Sequence, residues 1–178
     1  VAGLWAAHQR YGTLPWAALL QPAIALARDG FLVPKHLADQ IAEGVENLEG
    51  RTNFPAYFGP AAKAGQRLLQ PELARTLERI ATDGRDGFYL GKTAELLVAE
   101  MERGGGLITF QDLATYEAVW REPLSGIWRG QTVVSAPPPS SGGFALLQLL
   151  RGKDLLAEHF DGLAHNSARY VHLVAELE

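Results

Sequence analysis

The chain has no cysteine among its 178 residues. Disulfides and thiolate metal sites are therefore excluded, and the redox compartment is left unread. It has no basic stripe either: 16 Lys and Arg stand against 20 Asp and Glu, a formal net charge of −4. That balance argues against nucleic acid or an anionic membrane as partner. No apolar run approaches the length of a membrane span. The first residues, VAGLWAAHQRYG, lack the basic segment, apolar core and cleavage site of a signal peptide. Internal repeats and low-complexity tracts are also missing. At 47% hydrophobic and 20% charged, the chain has the composition of one globular unit with a real core. Its opening residues read as a helix already under way, and YVHLVAELE ends while a helical pattern is still running. Both ends are expected to be cut, making this a fragment.

The stretch around which the rest is organised is 131–143, QTVVSAPPPSSGG. The β-branched Thr132, Val133 and Val134 suit an extended, buried strand. Pro137, Pro138 and Pro139 fix φ and supply no N–H, so the chain must leave the strand stiffly. Ser140 or Ser141 is placed to cap the helix that follows, while Gly142 and Gly143 let other groups approach its first turn. Two readings stand: a structural corner with capping serines, or a helix start against which something is built.

In chain order, Val1, Leu4, Trp5, His8 and Tyr11 share a helical face that Gly12 stops. Thr13 is expected as the next N-cap with Pro15 inside the first turn, and Gln21-Pro22 as a break before a further helix over 22–29. Phe31, Leu32 and Val33 should be extended ahead of Pro34. Lys35–Leu48 carries Leu37, Ile41, Val45 and Leu48 as an amphipathic stripe. Residues 50–69 show little periodicity and read as a long surface loop. Pro71 opens a helix closed by Gly84, and Phe88-Tyr89 form an aromatic plug on a single turn. A helix over 93–103 runs into three glycines, and Thr109 through Asp112 form a variant capping box. From Ala118 the period changes: 118–120 and Ile127-Trp128 look extended, Arg129-Gly130 is a turn, and 131–135 returns. A helix over 143–152 and a last one, capped at His165-Asn166-Ser167 with Tyr170, Val171, Val174 and Leu177 buried, complete the chain. A lone hairpin is marginal, so its edges should belong to a larger sheet.

These residues carry a resemblance. The blocks Tyr11-Gly12-Thr13-Leu14-Pro15, Gln21-Pro22-Ala23, Ala27-Arg28-Asp29-Gly30-Phe31, Gln70-Pro71-Glu72-Leu73-Ala74 and Gly105-Gly106-Leu107-Ile108-Thr109 occur in order. They are followed by Tyr116, Arg121-Glu122-Pro123-Leu124, Arg129-Gly130 and the run from Pro137 to Gly143. Together they resemble the large-subunit region of the γ-glutamyltransferases (glutathione hydrolases) across nearly the whole chain. The resemblance implies a helix-rich α+β part of an αββα N-terminal-nucleophile hydrolase sandwich. It implies a precursor that cuts itself, and a new N-terminal Thr on the small subunit that attacks a γ-glutamyl amide. It also implies transfer of the γ-glutamyl group to water or an amine, and a periplasmic or secreted setting. The implied partners are the small subunit of the same precursor and a γ-glutamyl substrate such as glutathione; no cofactor is implied.

Set against that pattern, the chain lacks the reacting group. No Thr here sits in a Thr-Thr-His-like run, the family's carboxylate-binding arginine belongs upstream of Val1, and its oxyanion glycines belong to the small subunit. No catalytic residue is therefore assigned, no substrate-binding residue is named, and Pro137, Pro138, Pro139, Ser140, Ser141, Gly142 and Gly143 are kept as a structural motif. Ser140 and Ser141 lack the G-x-S-x-G elbow of a nucleophilic serine. His159, His165 and His172 do not have the i, i+4 spacing of a helical metal pair. Trp5, Trp16, Trp120 and Trp128 read as core or interface anchors, and Arg121, Arg129 and Arg169 as salt-bridged surface residues rather than carboxylate clamps. Gly104, Gly105 and Gly106 lack the Lys-Ser/Thr of a phosphate cradle. The expected organisation is one fragment over 1–178: 1–117 mainly helical, 118–143 hairpin and proline corner, 144–178 helical. Two rivals remain open, a cephalosporin-acylase-like relative of the same superfamily and a non-enzymatic helical interaction module.

Overall fold

The computed structural model of the chain describes residues 1–177 and resolves two compact units, Val1–Ala118 and a second one from Val119 onward. In the first unit, helix α1 (Ala2–Tyr11) ends where the Gly12 N–H donates to the His8 carbonyl at 2.7 Å. The next helix, α2, runs over Trp16–Asp29 without a break. Pro15, not Thr13, stands at its N-cap position, and its carbonyl accepts from Ala18 and Leu19. A proline keeps the residue before it out of the helical region, so the helix cannot begin any earlier.

The expected break at Gln21-Pro22 does not occur, because Pro22 lies inside α2. Proline there removes one helical hydrogen bond at a cost of about 3 kcal/mol. The face that follows repays it: Ile24 and Ala27 are buried, and α2 lies along α5 (Pro71–Asp83). Burying a side chain the size of Ile24 contributes about 1.5–3 kcal/mol. The Trp16 indole N–H seals that contact by donating to the Ile80 carbonyl at 2.8 Å. Trp5 meets Trp16 edge-on at 5.1 Å between ring centroids, and the His8 ring lies 5.2 Å from Trp16.

Residues 50–69 are not a surface loop. They form α4 (Phe54–Phe58), a 3₁₀ turn (Gly59–Ala61) and strand β2 (Arg67–Leu68), which pairs antiparallel with β1 (Phe31–Leu32). Two further bonds extend the pairing, Val33 N–H to Gln66 O and Gly65 N–H to Val33 O, both at 2.8 Å. The segment folds back over α3 (Lys35–Leu48), whose bounds match the apolar stripe in the sequence. Val33, Ala38, Ile41, Ala61 and Leu68 form one buried cluster, with Leu37 and Val45 partly covered beside it. Single anchors, not a period, fix this segment, so periodicity could not find it.

The other cluster joins both ends of the first unit. Tyr89, on the single turn α6 (Asp86–Tyr89), packs with Ala2, with Ala94 and Val98 of α7 (Gly91–Gly104), and with Leu113 of α8 (Phe110–Thr115). Its ring stacks on Tyr116 at 5.3 Å, and Arg85 lies over it at 4.9 Å while donating to the carbonyls of Ala114 and Tyr116. The buried Thr93 hydroxyl donates to the Gly87 carbonyl at 2.7 Å and accepts from Arg79 Nε at 2.8 Å. Helix α8 has the capping box: the Asp112 N–H donates to Thr109 Oγ1, and the Thr109 hydroxyl and N–H donate to the Asp112 carboxylate. Those two bonds, the hydroxyl's first, hold the Asp112 carboxyl below its usual range.

The second unit is built on a hairpin, β3 (Leu124–Trp128) against β4 (Gln131–Ser135), in the register Leu124↔Ser135 to Trp128↔Gln131. Arg129 and Gly130 both have positive φ, 48° and 76°, as the two-residue turn of a tight hairpin requires. The strands start at Leu124, and 118–120 form no strand. Helices α9 (Gly142–Leu155), α10 (Ala157–Phe160) and α11 (Ala168–Leu177) follow. The expected buried face of α11 is only half-covered: Tyr170, Val174 and Leu177 are partly buried and Val171 is exposed. Among the described residues no helix is long and apolar enough to cross a membrane. The fold is helix-rich α+β.

Candidate functional site: the proline–glycine corner

Strand β4 hands the chain directly to the corner. After Ser135 come Ala136 and the three prolines, with a cis peptide between Pro138 and Pro139. The Ser140 N–H donates back to the Pro137 carbonyl at 3.2 Å, which turns the chain toward α9. Ser141 occupies the N-cap position, and its carbonyl accepts from Ala145 at 2.9 Å. The expected serine cap is absent: Ser141 already has helical dihedrals, φ −77° and ψ −23°, and makes no side-chain cap hydrogen bond. An N-cap side chain reaches the N2 or N3 amide from extended backbone, which this geometry does not offer.

Gly143 carries the contact. It is the one buried residue of the second unit among those described. A Cβ there would fall against the Ala136 carbonyl oxygen and within 2.9 Å of Ser135 Oγ. The first turn of α9 therefore rests on the end of β4, an approach that only glycine permits. A second glycine continues the seam: a Cβ on Gly126 of β3 would sit 3.0 Å from Leu147 of α9. The hairpin thus presents one face, Leu124, Gly126, Trp128 and Val133, to α9.

Ser140 and Ser141 are exposed, and neither side chain has a hydrogen-bonded base among the described residues. The three histidines lie apart: His172 is 3.9 Å from Glu176, His165 packs beside Tyr170, and His159 is exposed. Among the described residues no group of three or more His, Cys, Asp or Glu is placed to hold a metal ion. Among the described residues Arg121, Arg129 and Arg169 are in no salt bridge, against the expectation. Arg129 lies over the Trp128 ring at 4.9 Å instead, because a turn residue at positive φ has its own strand end as nearest neighbour. Of the four tryptophans, Trp5 and Trp16 anchor the α1–α2–α5 contact and Trp128 is half-buried, whereas Trp120 is mostly exposed.

Two features escape sequence reasoning. One is an apolar groove of about 560 Å³ between α1, α2 and α5, lined by Leu4, Tyr11, Trp16 and Leu77 among others. The other is a charged pocket of about 350 Å³ formed by Arg129, Lys153, Glu158 and Asp161 with Ala157 and Phe160. The pocket's residues follow no period or motif, so only the chain's path brings them together.

Comparison with known proteins places this architecture. The sequence matches the Gamma-glutamyltranspeptidase family over residues 1–178. It is 54% identical over 178 residues to a glutathione hydrolase proenzyme of Pseudomonas aeruginosa, covering 100% of this chain and 32% of that protein. It is 40% identical over 172 residues to the Acylase ACY 1 proenzyme of Pseudomonas sp. (strain SE83), covering 94% of this chain and 30% of the other. Its fold superposes with a TM-score of 0.92 on a gamma-glutamyltranspeptidase from Pseudomonas nitroreducens complexed with L-DON, at 50% identity. That match covers 99% of this chain and 52% of the solved one. The chain thus spans about a third of the length of these curated relatives. Matched from its first residue to its last, the chain belongs to the gamma-glutamyltranspeptidase family.

Proposed function

We propose that this chain is the scaffold part of an enzyme that cleaves γ-glutamyl amides, glutathione among them, and passes the γ-glutamyl group to water or an amine. The observation that carries this reading is the 54% identity, held along the whole chain, to a glutathione hydrolase proenzyme. In this scheme a Thr outside the chain, at the N-terminus of the small subunit of the same precursor, attacks the γ-carbonyl. Its free amine takes the hydroxyl proton and passes it to the amide nitrogen, which leaves as the amine when the C–N bond breaks. Water or an acceptor amine then attacks the ester, with backbone N–H groups stabilising each oxyanion. Within this chain the corner from Pro137 to Gly143 sets the angle between β4 and α9, and an edge of the hairpin joins the sheet that carries the nucleophile.

The test is release of the chromophore from a γ-glutamyl anilide. The full-length protein carrying this segment should turn over and this chain alone should not. Turnover by the chain that survives repurification and is lost on Ser140→Ala or Ser141→Ala would overturn the scaffold role. A second reading, an acylase acting on other side chains, rests on the 40% identity to the acylase proenzyme. Hydrolysis of an acylated β-lactam by the full-length protein, with the γ-glutamyl anilide left intact, would favour it.

A further inference from the structure

Four charged side chains from three parts of the second unit surround one open pocket of about 350 Å³. Arg129 comes from the hairpin turn, Lys153 from α9, Glu158 from α10 and Asp161 from the residue after it. Elsewhere on the surface, neighbouring acids and bases close onto one another, as in Lys35–Asp39 at 2.8 Å and Arg75–Glu72 at 2.9 Å. Around this pocket they do not: among the described residues none of the four is in an ion pair.

The cations are held in place without being neutralised. Lys153 Nζ donates to the Tyr170 hydroxyl at 2.6 Å and lies 4.6 Å and 5.2 Å from the ring centroids of Tyr170 and Phe160. The Arg129 guanidinium lies on Trp128. Aromatic faces attract a cation yet leave its charge and its remaining donors available. Two donors of positive charge and two carboxylates thus face one space that separates them.

A ligand that completes this arrangement carries one anionic and one cationic group on a small frame. A phosphate or dicarboxylate would meet Glu158 and Asp161, and a diamine would meet Arg129 and Lys153, so each brings a like-charge contact that costs affinity. We propose that the pocket binds the zwitterion of a free α-amino acid with an apolar side chain. Its carboxylate faces Arg129 and Lys153, its ammonium faces Glu158 and Asp161, and its side chain lies against Phe160 and Ala157. The planar guanidinium fork suits the carboxylate. The assignment stands on the pocket alone and is independent of which amide the enzyme cleaves.

The experiment is calorimetric titration of the full-length protein carrying this segment, at slightly acidic pH, with L-leucine, N-acetyl-L-leucine and L-leucinamide. Leucine should bind, and each one-charge analogue should bind about fivefold more weakly, the factor given by about 1 kcal/mol. Arg129→Gln should weaken leucine and the N-acetyl acid but spare leucinamide, and Asp161→Asn should do the reverse. Melting curves check that each variant folds, and Glu158→Gln gives a second reading of the ammonium side if Asp161→Asn melts lower. Absence of leucine binding, equal affinity for all three compounds, or leucine binding that ignores these substitutions overturns the proposal.

Discussion

Both units expose large apolar side chains, such as Leu107 at 90% in the first, but only the first also encloses some. In the first, Ile24 and Val33 are 2% and 1% exposed and sit in a covered interior. In the second, Ile127, Val134 and Leu155 stand 72%, 60% and 75% exposed. The first unit closes its own core with tertiary anchors such as Trp16 to Ile80 and Tyr89 to Ala2. The second covers one face of a hairpin with α9 and leaves the other, through Ser125, Ile127, Thr132 and Val134, open. A two-stranded sheet is marginal by itself. The contrast teaches that one unit encloses an interior of its own, whereas the other packs a single face of its hairpin on a helix.

The sharpest way to break this contrast is to truncate the same kind of side chain in both units. Ile24→Ala should cost about 2–5 kcal/mol, since it opens a cavity in a filled interior. Leu155→Ala should stay within about 0.5 kcal/mol, as exposed sites do. Denaturant unfolding of each variant measures both, and comparable losses would mean that the second unit has an interior of its own.

Gly143→Val probes the second unit where it is tightest. The new side chain must displace the Ala136 carbonyl or the start of α9, at a cost of about 1–3 kcal/mol. Amide exchange should accelerate across β4 and the first turn of α9 while the first unit keeps its protection. In a self-processing full-length protein the same variant should slow cleavage and turnover by more than its melting temperature suggests, because displacement of about 1 Å can lower rates on the order of a hundredfold.

The open hairpin face is tested by charge. Ile127→Lys with Val134→Lys should convert an associating chain into a smaller species by light scattering, with little change in melting. Equivalent lysines on exposed positions of α3, such as Asp39→Lys, should leave association as it was. A monomeric parent chain would remove the contrast.

The smallest effect concerns pH. The Asp112 carboxyl is held below its usual range, so its contribution is present above the unfolded value and is lost as pH falls through the lower folded one. Stability measured across the acid range should fall through that window, and Asp112→Asn should flatten this part of the curve. A curve identical in both proteins would mean that the α8 cap is not linked to stability.

Legibility followed the length of the signal. Helix α3 matched its stripe to the residue, Pro71 opened α5, and the Thr109 capping box and the Arg129-Gly130 turn stood where their chemistry places them. Errors fell where distant packing overrides a local rule. Pro22 reads as a helix breaker, but the burial of Ile24 and Ala27 on α5 carries the helix through it. Ala61 and Leu68 look like loop residues until the segment folds back on α3. At the corner, the prolines and glycines were readable, and the contact of Gly143 with Ala136 was not, because it depends on the angle the chain takes after Pro139. The charged pocket was invisible for the same reason.

The bond between the Ala2 amide and the Tyr89 hydroxyl spans 87 positions in sequence. On a ribosome adding about 5–20 residues per second, α1 must therefore wait several seconds for the ring that covers it. The Arg129-Gly130 hairpin needs no such delay, since its partners emerge together and pair in about 1–10 μs. The hairpin, open on one face, is thus able to take shape as soon as it is made, whereas the buried Ala2 spends that whole interval unprotected during synthesis.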